Sequence, residues 1–199
     1  MRRKTRTLLM VVALAMVFCS AKAQLRVSAG PTFSKSIVNS DQLNSEFGTG
    51  FLLGIRNRFR PENLKSLSFS TGVQLCHRKY KIENPKIDRE SYNDLYVTFP
   101  FLFNFDITEF LLVNTGVELG YALFSNLKEF EYKRRTTAFL FGFEFLQNRD
   151  VAPFITASYS PWERLDYETI DKFGNTTGTG YEFKNFYMVI GVNIYINDF

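Results

Sequence analysis

The chain has 199 residues, including 22 Phe and 10 Tyr, at a mean hydropathy of −0.13, so high aromatic content comes without overall hydrophobicity. Its formal charge of +4 sits at the N-terminus: removing Arg2, Arg3, Lys4, Arg6 and Lys22 from the 24 basic residues leaves 19 against 20 acidic ones. That balance excludes a charge-based case for a nucleic-acid partner, and Cys76, the one cysteine beyond that segment, excludes an internal disulfide.

Those cations open a basic stretch, followed by an apolar run from Leu8 to Phe18 and a small-x-small site at Ala21-Lys22-Ala23. This is the anatomy of a secretory signal peptide. The run is shorter than the ~20 residues a spanning helix needs. Cys19 follows the bulky Phe18 rather than a small residue, which argues against lipidation. The expectation is cleavage after Ala23, giving a signal peptide at 1–23 and one domain at 24–199.

Eight stretches then alternate with period two, the strand signature. In the first, Leu25, Val27, Ala29 and Phe33 oppose Arg26, Ser28, Gly30 and Thr32. The second sets Phe51, Leu53, Ile55 and Phe59 against Leu52, Gly54, Arg56 and Arg58. The third sets Leu67, Phe69, Thr71, Val73 and Leu75 against Ser68, Ser70, Gly72, Gln74 and Cys76. In the fourth, Leu95 to Phe105, every odd position is apolar, and Pro100 calls for a bulge because it lacks a ladder donor. The fifth sets Leu111, Val113, Val117, Leu119 and Tyr121 against Asn114, Gly116, Glu118 and Gly120. The sixth sets Phe139, Phe141, Phe143 and Phe145 against Gly142 and Glu144, and the seventh Ile155, Ala157 and Tyr159 against Thr156, Ser158 and Ser160. In the last, Met188, Ile190, Val192, Ile194 and Ile196 oppose Tyr187, Gly191, Asn193, Tyr195 and Asn197. Phe199 falls out of phase with them, which a bulge at Asn197-Asp198 would correct.

Strands of about ten residues suit a tilted membrane crossing. The connections sort by length. Ser34–Glu46, Lys81–Asn93, Ser125–Arg135 and Trp162–Glu182 read as long polar loops; Arg60–Asn63, Asp106–Glu109 and Asn148–Asp150 read as short turns. Large apolar residues fill one face, and Gly, Ser, Thr, Asn, Arg and Glu the other. A ligand cavity lined by Gly, Arg and Glu is a poor fit to a soluble barrel, whereas a narrow polar interior suits a membrane one. The expected fold is all-β: an eight-stranded antiparallel up-and-down transmembrane β-barrel preceded by a cleaved signal peptide.

Leu25-Arg26-Val27-Ser28-Ala29-Gly30, Leu95-Tyr96-Val97-Thr98-Phe99-Pro100-Phe101-Leu102, Asn114-Thr115-Gly116-Val117-Glu118-Leu119-Gly120-Tyr121 and a terminal Phe carry a resemblance. The whole mature chain resembles the small porin-like outer-membrane β-barrels of Bacteroidetes-type bacteria, with an OmpA- or OmpX-like barrel. The resemblance implies a cell outer membrane location in a Gram-negative bacterium and insertion by the barrel-assembly machinery, which reads the last strand. It also implies outer-membrane lipids and lipopolysaccharide as surroundings, and a monomer.

Function is less legible. Some barrels of this size modify lipid A with a His and a Ser near the outer rim, yet the lone His77 stands in Leu75-Cys76-His77-Arg78 with no such pair. It reads as an interfacial side chain, and no catalytic, cofactor-binding or metal-ligating residues are assigned. Arg56, Arg58, Glu118 and Glu144 share the inward face and are expected to pair across the lumen, plugging it; an ion-selective lining is the competing reading. Tyr80, Tyr96, Tyr121, Tyr159 and Trp162 are placed in an outer aromatic girdle, and Phe59, Phe103, Phe105, Phe110 and Phe145 in an inner one. Lys128, Lys133, Arg134 and Arg135 are candidates for lipopolysaccharide phosphates. The sequence thus points to a non-enzymatic barrel with a structural, adhesive or surface-binding role through its loops, with a small porin and a lipid-modifying enzyme as alternatives.

Overall fold

The computed structural model describes residues 21–38, 44–84, 87–125, 134–147, 149–161, 165–170 and 176–196. They form nine antiparallel strands: β1 (Ala21–Val38), β2 (Asn44–Pro61), β3 (Leu67–Asn84), β4 (Ile87–Asp106), β5 (Leu111–Ser125), β6 (Arg135–Phe145), β7 (Val151–Tyr159), β8 (Leu165–Ile170) and β9 (Thr176–Ile196). Each of β1 to β7 pairs with its neighbour in sequence. β9 pairs with β7, Val151 opposite Ile194, and with β1, Leu25 opposite Ile196, so the sheet closes on itself. The result is an eight-stranded barrel. β8 stands outside the closure, paired only with the first half of β9, Leu165 opposite Phe183. The expected cleavage segment Ala21–Ala23 forms the first three residues of β1, opposite Pro61, Arg60 and Phe59.

Closure requires alternation to resolve into two walls, and it does so as the sequence phase demands. Leu53, Ile55, Val73, Phe99, Phe101, Phe103, Phe141, Ile190 and Ile194 are exposed on the outer wall, whereas Arg26, Ser70, Asn104, Glu118, Glu144 and Asn193 are buried inside. A bulge in β5 between the partners of Leu95 and Tyr96 lets Leu123 and Phe124 both face out. At Pro100 the expected bulge is absent. The β3–β4 ladder reaches Thr71 opposite Phe101, skips two pairs and resumes at Gln74 opposite Thr98 in unchanged register. The missing donor is absorbed by a gap in the ladder instead. Gly191 serves packing: a Cβ there would lie 2.9 Å from the Phe154 ring and 2.4 Å from the Ala29 carbonyl oxygen.

The end that carries the short turns is tightly tied. Leu64 N donates to Pro61 O (3.0 Å), Asp106 N to Ser66 O (2.9 Å), Leu146 N to Phe110 O (2.7 Å) and Tyr195 N to Asp150 O (2.8 Å). The other end differs from the expected loops. β3 and β4 run for 18 and 20 residues, so most of Lys81–Asn93 is hairpin. Trp162–Glu182 holds β8 and the start of the 21-residue β9. Polar sequence reads as loop, but a ribbon standing in water needs no apolar face. Since ~9–11 residues cross a bilayer, about half of β3, β4 and β9 projects beyond it. Asn197, Asp198 and Phe199, with the phase question they raise, lie outside the described residues, as does Trp162.

An apolar outer wall on a closed barrel with a polar interior satisfies every backbone group without water and turns its hydrocarbon surface to lipid. This is the build of a transmembrane β-barrel, with its short turns at one end and its ribbons at the other.

Candidate functional site

Polar side chains fill the lumen in tiers, because each strand contributes every second residue to it. At the short-turn end, Arg58 of β2 donates from Nε to Ser68 Oγ (2.7 Å) and from Nη2 to Asp106 Oδ1 (2.5 Å). Arg60 holds the other Asp106 oxygen. Gln147 accepts from Arg58 Nη1 (3.3 Å) and donates to Thr108 O (2.8 Å), so two of the short turns meet across the opening.

Glu144 of β6 organises the next tier. Its Oε2 accepts from Arg26 Nη1 (2.8 Å) and Asn193 Nδ2 (2.6 Å), and its Oε1 from the Tyr195 hydroxyl. Arg26 Nη2 continues to Ser70 Oγ (2.7 Å), which also accepts from Asn104 Nδ2 (2.8 Å). One network therefore links β1, β3, β4, β6 and β9. Arg56 joins it without a carboxylate of its own, donating to Ser28 Oγ (2.9 Å) and Asn193 Oδ1 (2.8 Å), its guanidinium 5.6 Å from the Phe154 ring centre. Thus Arg56 does not pair with Glu118 or Glu144; the nearer Arg26 occupies Glu144.

An apolar tier follows, with Leu52, Phe154 and Val189 buried together with Ala122. Beyond it Glu118 accepts from Arg78 Nη2 (2.7 Å) and from the Tyr187 hydroxyl (2.6 Å). The Arg78 guanidinium lies 3.9 Å from the Tyr187 ring centre and 4.5 Å from that of Tyr96, and its Nε reaches Cys76 Sγ at 3.3 Å. Flat, weakly hydrated guanidinium groups suit such stacking.

Arg58, Glu118 and Glu144 do pair inside the lumen, but with Asp106, Arg78 and Arg26, none of which is among the four residues expected to pair with one another. Arg78 and Asp106 were not singled out; carrying the phase of Gln74 and Cys76 one step further places Arg78 inside. Tyr80 and Tyr96 are corrected. They are 2% and 0% exposed inside the barrel rather than in the girdle, because they share the inward phase of Arg78 and Asp94. Tyr121 and Tyr159, with Phe103, Phe105, Phe110 and Phe145, are exposed as girdle residues should be, and Phe59 is half-buried. His77 lies on the outer wall, stacked on Phe51 with ring centres 5.4 Å apart and planes 17° from parallel. Among the described residues nothing hydrogen-bonds its imidazole, while its backbone oxygen accepts from the Thr32 hydroxyl (2.7 Å). Arg135 is exposed at the outer end of β6, beside Arg134; Lys128 and Lys133 lie outside the described residues.

Chemically, Glu118 and Glu144 are each held by at least two donors, an arrangement that fixes charge rather than moves protons. Among the described residues no three His, Cys, Asp or Glu side chains converge as metal ligands.

No protein-family model matches this chain, and no curated protein matches its sequence. Solved structures match its fold. It is similar to the outer membrane protein OprG of Pseudomonas aeruginosa, at 8% identity and a TM-score of 0.53 over 89% of this chain and 98% of that one. It is similar to Ail, the attachment invasion locus protein of Yersinia pestis solved with the heparin analogue sucrose octasulfate, at 16% identity and TM-score 0.50 over 88% and 99%. It is also similar to Neisserial surface protein A, at 15% identity and TM-score 0.50 over 87% and 98%. At such identities the likeness is one of fold, that of small eight-stranded outer-membrane barrels.

Proposed function

We propose that this outer-membrane barrel is a non-conducting, non-enzymatic scaffold whose role lies in its outer ribbons, β3–β4 and β8–β9, as a structural, adhesive or surface-binding protein. One observation carries the reading: the lumen is crossed by the Arg26–Glu144 network, the Leu52–Phe154–Val189 layer and the Arg78–Glu118 stack in succession. An eight-stranded barrel is just wide enough for side chains to fill, and both buried pairs would have to break to admit water. The ribbons are the part of the chain that the bilayer does not need. Ail, with its bound heparin analogue, is a precedent of the same fold for ligand binding.

In this reading the barrel is a monomer in lipid and lipopolysaccharide, and the assembly machinery recognises β9 during insertion. The Bacteroidetes-type origin rests on the strand phrases alone. A liposome-swelling assay tests the plug. Vesicles holding the full chain should shrink in arabinose and stay shrunken, and recovery of volume at a porin-like rate would overturn the proposal.

A further inference from the structure

On the short-turn side of the Leu52–Phe154–Val189 layer, the lumen carries a surplus of cations. Among the described residues, the buried guanidinium groups of Arg26, Arg56 and Arg58 face two carboxylates, Glu144 and Asp106. Arg60, 43% exposed at the opening, adds a further cation and shares Asp106 with Arg58. A guanidinium does not shed its charge by deprotonation, and an ion left unneutralised in a dry interior is costly. The surplus falls at Arg56, because Glu144 already takes Arg26, Asn193 and Tyr195.

Arg56 directs Nε and Nη2 at the neutral oxygens of Ser28 and Asn193. Among the described residues nothing hydrogen-bonds its third nitrogen, Nη1. Arg26 stands directly opposite in the β1–β2 ladder, and its Nε is a buried donor with no partner among the described residues. Gln74 approaches from β3: Gly72 is opposite Arg56, and Gln74 is the next inward residue, a diagonal neighbour. Its stem leans across onto β2, since a Cβ on Gly54 would come within 2.5 Å of Gln74 Cγ. No hydrogen bond among the described residues engages the Gln74 amide. Gly54 and Gly72 put no side chain beside the guanidinium, and Arg56 and Gln74 each keep 5% of their surface accessible. Two amide oxygens without donors, Asn104 Oδ1 and Asn114 Oδ1, stand on β4 and β5; neutral oxygens suit water and do not offset charge.

We propose that the lumen binds one small monovalent anion, of the chloride class, at Arg56 Nη1 and the Gln74 amide, as an internal counter-ion to the Arg26–Arg56 pair. One negative charge matches the surplus of the buried tier, and N–H donors without acceptors are the groups such an ion needs. The site lies inside the barrel rather than on its ribbons and goes beyond the scaffold role proposed above: an ion becomes part of the folded lumen.

The test is urea titration of the full chain in phosphatidylcholine vesicles, in mixtures of sodium chloride and sodium gluconate at constant ionic strength, gluconate being too large for the site. If folding takes up one chloride, the folded-to-unfolded ratio at fixed urea should rise about tenfold per tenfold rise in chloride above its dissociation constant. In Arg56→Met the dependence should vanish, because the surplus cation is gone. In Gln74→Leu the rise should move to higher chloride with its slope kept. Lys65→Ala, in a short turn, should match the wild type. Crystals grown in sodium bromide should show an anomalous peak against Arg56 and Gln74. A wild-type ratio that does not change with chloride would overturn the proposal, as would equal slopes for the wild type and Arg56→Met. If Arg56→Met does not fold, an unshifted Gln74→Leu curve overturns it. A bromide peak without chloride dependence in vesicles would mark an adventitious ion only and overturn it as well.

Discussion

Glu144→Ala tests the lumen network most severely. The substitution leaves the Arg26 guanidinium, 1% exposed, without its carboxylate, and takes the acceptor from Asn193 Nδ2 and the Tyr195 hydroxyl. Stranding one partner of a buried pair costs about 3–5 kcal/mol, and each orphaned neutral donor adds about 1–3 kcal/mol unless it finds a new partner. Water entering the vacated space offsets part of this. The net expectation is a loss of about 3–5 kcal/mol, a large share of a typical ~5–15 kcal/mol stability. Glu144→Gln keeps an oxygen facing Arg26 and should lose about 1.5–3 kcal/mol, the range for a hydrogen bond to a charged group. Arg26→Met/Glu144→Met removes both charges and should be milder than Glu144→Ala, because no lone charge stays buried. Urea titration in phospholipid vesicles, read by heat-modifiable mobility and tyrosine fluorescence, measures all three. If Glu144→Ala falls within about 1 kcal/mol of wild type, well short of the cost of a stranded charge, or the double variant is worse than the single, the ion-pair account fails.

Other outcomes follow from the same geometry. Phe101→Arg on the outer wall should cost about 2–4 kcal/mol, as cations do at the midplane of a membrane barrel; a neutral result would put Phe101 outside the lipid belt. Gly191→Ala should destabilise by about 1–3 kcal/mol through overpacking, since the new Cβ meets the Ala29 backbone oxygen and the Phe154 ring, and Phe154→Leu should relieve only the part due to the ring; unfolding midpoints of the two variants check this. Leu146, at φ 56° in the β6–β7 turn, should gain about 1 kcal/mol on replacement by Gly, which adopts that backbone without cost; a loss would show that its side chain contributes more than the strain. In intact cells a membrane-impermeant maleimide should label Ser91→Cys on the outer ribbon but not Lys65→Cys in a periplasmic turn or native Cys76, 0% exposed; the reverse labelling would invert the topology.

Much of the fold was legible because a lipid-facing wall imposes alternation with little tolerance. Phe99, Phe101 and Phe103, or Ile190, Val192 and Ile194, have one admissible phase, and that phase places Arg26, Glu118 and Glu144 inside. Strand ends were less legible. Beyond the bilayer a ribbon carries polar residues on both faces, so Lys79–Asn84 and Ile87–Asn93 lack a periodic signal while keeping their ladder. The lumen was half legible. Phase alone places a side chain inside, but pairing depends on stagger around the barrel, which brings Glu144 of β6 to Arg26 of β1 rather than to Arg56 one strand further. Tyr80 and Tyr96 were misplaced because tyrosines near a strand's outer end suggest a girdle, whereas here their rings serve the interior, Tyr96 against Arg78.

Single-channel recording in planar bilayers tests the central claim most directly. Pure protein, shown to be folded and inserted, should give a flat baseline at ±100 mV in 1 M KCl. Reproducible unitary steps from the wild-type chain would contradict the plugged barrel.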